Sequence, residues 1–96
     1  MYEIERTETF MKWLLGLKDA AAIRRIAARI ERAKKGNFGS WKPVGGEVRE
    51  MRIDCGSGYR IYYTIRNSKI IFLLSGGDKR TQHADIEKAQ KLAKEI

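Results

Sequence analysis

A change of hydrophobic period divides the middle of this chain. From Phe10 to Ile30 the apolar residues recur every three to four positions, and from Val48 to Ser75 they alternate. Between the two halves lies GNFGSWKPVGG, residues 36–46, which holds four glycines and the only proline. A helical half followed by strands on short connections specifies an α+β fold with an antiparallel sheet.

Residues 2–5 read as a short strand with Tyr2 and Ile4 on one face. Thr7 is a natural N-cap, and Phe10, Trp13, Leu14 and Leu17 then form one helical stripe. Asp19 caps a second helix that runs to about Lys35. Its apolar face is Ile23, Ile26, Ala27 and Ile30, and Arg25, Arg29 and Arg32 line a separate, solvated one. So short a connection predicts a helical hairpin. Residues 36–46 are expected to form an ordered loop that buries Phe38 and Trp41. Strands follow over 48–54, 59–66 and 69–75, then a C-terminal helix with Ile86, Ala89, Ala93 and Ile96 inward. The order is β-α-α-β-β-β-α. KIIFLLS is apolar on both faces, so its strand is expected to be covered on both sides.

Ninety-six residues supply one domain, and no apolar run approaches the ~20 residues of a membrane span. The N-terminus carries early glutamates and no apolar core of a signal peptide. Cys55 and His83 are each the only residue of their kind, too few for a disulfide or a zinc site. A reducing, cytoplasmic setting is expected, with no metal and no cofactor. Twenty Lys and Arg against twelve Asp and Glu leave a formal charge of +8. Such a field favours polyanions as partners.

Four segments, taken in order, resemble one known family: ETFMKWLLGLKD, GNFGSWKPVGG, VREMRIDCGSGYRIYY and LLSGGDKRTQ. They look like the RelE/ParE toxin superfamily, and within it the HigB-like, phage-associated addiction module killer group. The resemblance covers nearly the whole chain and implies a single toxin domain over residues 1–96. It further implies a co-expressed antitoxin as partner. The activity would be cleavage of messenger RNA on the ribosome or, as in the ParE branch, poisoning of DNA gyrase. Fold alone does not choose between these two or a non-catalytic nucleic-acid binder.

Metal-free RNA cleavage needs a 2′-hydroxyl deprotonated, a leaving oxygen protonated and the developing phosphate charge held by fixed cations. Arginine suits the last task because its planar fork binds two oxygens. Alternation puts Arg60, Tyr62 and Thr64 on one face of their strand and Tyr59, Ile61, Tyr63 and Ile65 on the other, in the core. Arg60 is therefore expected on an open face. The resemblance makes it the phosphate-contacting residue; the alternative is a structural ion pair with Glu50. Arg52 shares a side with Glu50 and is expected beside Arg60 across the hairpin. Glu50 is either a general base or a neutralising neighbour. Arg49 is expected at a sheet edge or on a helix carboxylate. Several of the ribonuclease members this chain resembles place a tyrosine near the C-terminus as acid or base, whereas here none follows Tyr63, which leaves Tyr62, His83, assistance by the substrate, or no RNA cleavage at all. Lys42 in the glycine-rich loop, and Lys79, Arg80 and Gln82 after the Gly-Gly pair, are candidate nucleic-acid contacts. The spacing of that glycine turn excludes a P-loop. Asp78 or Thr81 is expected to cap the last helix.

Overall fold

The computed structural model describes all 96 residues. The elements are β1 (Glu3–Arg6), α1 (Glu8–Leu15), α2 (Ala20–Lys34), β2 (Trp41–Gly45), β3 (Val48–Ile53), β4 (Tyr59–Arg66), β5 (Ile70–Gly77) and α3 (Gln82–Glu95). A single 3-10 turn, Lys79–Thr81, leads into α3. The caps read for α1 and α2 are present: Thr7 accepts a hydrogen bond from the Phe10 amide and Asp19 one from the Ala22 amide. Asp78 caps the 3-10 turn through the Arg80 amide rather than α3, whose N-cap residue Thr81 makes no side-chain cap bond.

All five strands form one sheet in the order β1-β5-β4-β3-β2. β1 pairs parallel to β5, and every other pairing is antiparallel. The expected α+β class holds, with one strand added. Residues 41–45, expected as loop, form the edge strand β2 against β3. The chain reverses between them through Gly45, Gly46 and Glu47, all at positive φ. Two glycines make that conformation cheap. Pro43 is tolerated because it sits on an edge.

Two layers of apolar side chains lie on opposite faces of the sheet. Phe10, Ile26, Ile30, Met51, Ile61, Tyr63, Ile71 and Leu73 form the larger one beneath α1 and α2. Val48, Tyr62, Leu74, Ala89 and Ala93 form the smaller one beneath α3. β5 feeds both, as its doubly apolar sequence predicts. α2 is rotated from its expected face: Ala22 and Ala33 are buried with Ile26 and Ile30, while Ala27 is exposed.

The second layer corrects an expectation. The face carrying Arg60, Tyr62 and Thr64 is not open, because α3 lies across it and all three are buried. They do lie opposite Tyr63, as alternation requires, but the polar side of β4 is a covered face and not a wet one.

Two glycines let the helices close on β5. A Cβ on Gly76 would collide with the Trp13 indole on the α1 side, and one on Gly77 with the Asp85 carboxylate on the α3 side. Their alternation continues past a bulge at Leu74, where Tyr62 pairs with Ser75 and Tyr63 with Leu73. Arg66 donates to the carbonyls of Ala93 and Ile96 and so holds the far end of α3.

Candidate functional site

Strand register brings four of the eight candidate residues to one corner of the sheet, and α3 adds a fifth. Lys42, Glu50, Tyr62 and Ser75 lie in one row across β2, β3, β4 and β5. Arg52, Arg60 and Gly77 form the next row across β3, β4 and β5. The start of α3 covers both, with Gln82 over Glu50.

Glu50 is the hub. It is 2% exposed, and its Oε1 accepts hydrogen bonds from the Gln82 amide at 2.7 Å and the Tyr62 hydroxyl at 3.2 Å. The same oxygen lies 3.2 Å from Arg60 Nε, and Oε2 lies 3.6 Å from Lys42 Nζ. The cost of burying a carboxylate this deep is offset by such company. It is the structural pairing set against the free-phosphate reading of Arg60 in the sequence.

Arg60 is 7% exposed, which corrects its expected place on an open surface. Its Nη1 donates to the Gly58 carbonyl at 3.0 Å, while Nε makes no hydrogen bond despite its closeness to Glu50. The guanidinium is thus charge-paired and incompletely hydrogen-bonded. Arg52 stands opposite Arg60 as expected, exposed and loosely paired to Asp54 at 3.7 Å. Lys42 is also exposed, on β2 rather than in a loop. Ser40, Lys42, Glu50 and Arg52 border a small notch of about 120 Å³.

Tyr62 is wholly buried, and burial, with Glu50 next in effect, raises its phenol far above the ordinary range. It keeps its proton and donates to Glu50, which removes it as a general base. The remaining candidates stay apart from the hub. His83 is 92% exposed at its side chain and pairs with Glu87 one turn along α3. Lys79 is exposed, and Arg80 is exposed and bound to Asp78. The hydrogen bond from Arg80 holds the Asp78 carboxyl below its usual range. No three His, Cys, Asp or Glu side chains come together as a metal site would require.

Two arginines differ from their expected roles. Arg49 lies over the Trp41 ring, 4.7 Å from its centroid, on the α2 side of the sheet. Arg29, read as part of a wet face, donates to the Arg52 carbonyl at 2.6 Å and the Phe38 carbonyl at 2.8 Å. It anchors the glycine-rich segment and the strand that carries Glu50 and Arg52. No local pattern marks it, since its partners are carbonyls distant in sequence.

The profile of the phage-derived Gp49-like protein family matches residues 12–95. An uncharacterized protein of Haemophilus influenzae is 47% identical over 94 residues, spanning 98% of this chain and 95% of its own. Among solved structures, a mutant of the E. coli toxin RelE in the free state superposes with a TM-score of 0.72 at 18% identity, covering 99% of this chain and 97% of its own. A chain of the intact E. coli RelBE toxin–antitoxin complex superposes with a TM-score of 0.65 at 16% identity, covering 81% and 96%. On the extent of these matches, the chain belongs to the phage-derived Gp49-like family and is built on the RelE fold.

Proposed function

We propose that this protein is the toxin of a toxin–antitoxin pair, that its target is messenger RNA on the ribosome, and that the corner around Glu50 grips the phosphodiester to be cut. The observation that carries this reading is the convergence of Lys42, Arg52 and Arg60 around Glu50, with Lys42 and Arg52 bordering a notch, on a RelE-type fold. Support for an antitoxin partner comes from the RelBE complex among the structural relatives.

Lys42 and Arg52 are exposed and meet an incoming phosphate first. Glu50 holds the position between Lys42 and Arg60 in the free protein. A phosphate oxygen arriving at the notch is met by Lys42 and Arg52, while Glu50 keeps Arg60, Tyr62 and Gln82 in place behind them. Attack of the ribose 2′-hydroxyl then builds negative charge beside guanidinium groups already in place. Glu50 is a positioning residue in this scheme. No side chain of the cluster is free to take the 2′-hydroxyl proton, so proton transfer falls to water or the RNA itself. Lys79 and Arg80 extend the cationic surface at the start of α3 and steer the strand toward the notch.

Expression of the wild-type chain is expected to arrest growth. Lys42→Ala with Arg52→Ala changes two exposed side chains, and because Lys42 is a partner of buried Glu50 a loss of roughly 1 to 3 kcal/mol is expected, which thermal unfolding checks. Growth should resume at equal soluble protein. Full-strength arrest by the double variant would remove the site. Arrest with DNA breaks and intact transcripts would indicate gyrase as the target instead.

A further inference from the structure

Between α1 and α3, where β5 ends, lies a cleft of about 580 Å³ that the Glu50 corner does not use. β1 covers the edge of β5 only as far as Leu73, and the Thr7 hydroxyl donates to the Leu74 carbonyl. From Ser75 to Gly77 that edge meets no strand on this side and borders the cleft. Trp13 of α1 supplies the one apolar side chain of the lining, and α3 supplies Asp85 and Lys88. The Asp85 carboxylate is half-buried and lies over Gly77, where any Cβ would collide with it. Its Oδ2 accepts a hydrogen bond from the Thr81 hydroxyl, and no cation of the protein pairs with it. Oδ1 is left as a free acceptor. A carboxylate with an unused oxygen, in a cleft with an indole in its wall, suits a flat ring that carries N–H donors.

We propose that this cleft binds one base of the RNA and selects a base with an amino group on its pairing edge, guanine above all. The base packs against Trp13 and donates to Asp85. Guanine fits best, because its ring N–H and its amino group are adjacent donors that match the two oxygens of a carboxylate. Uracil presents a carbonyl oxygen on either side of its single N–H, and both are repelled by Asp85. Lys88 is exposed and without an ion pair, so it is free for the flanking phosphate. Gly77 stands in the same row as Arg60 and Arg52, two strand spacings or roughly 10 Å from β3. A nucleotide close to the gripped phosphate on the same strand reaches that far. An extended protein segment fits less well. It would have only Ser75–Gly77 to pair with, an edge at the lower limit of strand length.

The inference rests on RNA being the target, and its test reads binding without cutting. Trp13 and Trp41 are the only tryptophans, so Trp41→Phe leaves Trp13 as the single reporter and keeps a ring under Arg49. Guanosine and uridine monophosphate are each titrated into that full-length protein while tryptophan fluorescence is followed. Guanosine monophosphate should quench Trp13 and bind roughly tenfold tighter than uridine monophosphate. Asp85→Asn keeps the shape but turns one acceptor into a donor, so the two affinities should come within about twofold of each other. Lys88→Ala should weaken both nucleotides alike and leave their ratio unchanged. Unchanged thermal unfolding checks that the variants fold. Equal affinities before the Asp85 change, or a guanine preference that survives it, would overturn the proposal. So would a Trp13 response to a capped oligothreonine strand with none to either nucleotide. The corner is tested apart, by the toxicity of Lys42→Ala with Arg52→Ala. Retained toxicity there, beside a guanine preference that Asp85→Asn abolishes, would sink the corner and leave the cleft standing.

Discussion

Glu50 holds together one corner of the protein by charge, and removing that charge exposes what it neutralises. In Glu50→Gln the amide can still meet Tyr62 and Gln82, but Arg60 is left buried beside no anion. Breaking such a pair costs about 3 kcal/mol, measurable by urea denaturation. Phosphate in the buffer should restore part of the loss in the variant and change the wild type little. No phosphate effect would mean that the space between Lys42 and Arg60 does not accept an anion. Tyr63 gives a separate test on the opposite face, where its ring stacks on Phe38 with centroids 5.5 Å apart. Its hydroxyl has no hydrogen-bond partner, and burial pushes its phenol up to about 12 against the opposing pull of Arg49 and Arg29. The unfolded phenol ionises near 10. The folded state therefore binds more protons between about pH 10 and pH 12, and stability falls as pH rises through that window. Tyr63→Phe is expected to be near-neutral at pH 7, within about 1 kcal/mol, and to flatten that alkaline decline. A decline just as steep in Tyr63→Phe would assign it to other groups.

At the scale of elements, close packing on β5 controls how both helices sit. Gly76→Ala puts a methyl into the Trp13 indole and is expected to cost about 2 kcal/mol or more, read as a lower urea midpoint. A midpoint equal to wild type would mean that Trp13 moves aside freely. Helix caps, strand alternation and the doubly covered β5 were legible in the sequence because each depends on a few adjacent residues. β2 was not, since WKPVG with proline and glycine lacks strand propensity and is a strand only because β3 pairs with it. The burial of Arg60 was also hidden. Alternation separates the two faces of β4 but does not say that Ala89 and Ala93 of α3 close over one of them. Small residues on a charged helix gave too weak an apolar stripe to announce a second layer. The meeting of Arg52 with Arg60 was visible, because a hairpin with a short connection fixes its own register.

Across the whole molecule, the positive charge falls into two zones. Around Glu50 it is concentrated, partly neutralised and set beside a notch; along α2 it is spread out, with no ion pair at Arg25 or Arg32. The first arrangement suits holding one phosphate in a fixed place. No helix is long and apolar enough to cross a membrane. The likeness to RelE extends over nearly the full length of both chains, so the corner lies on a complete fold of that type. The most direct measurement is to map transcript ends shortly after induced expression of wild type and of Lys42→Ala with Arg52→Ala. The account predicts new ends within translated messages for wild type and none above background for the variant. Arrested growth with transcripts whole in both would contradict it.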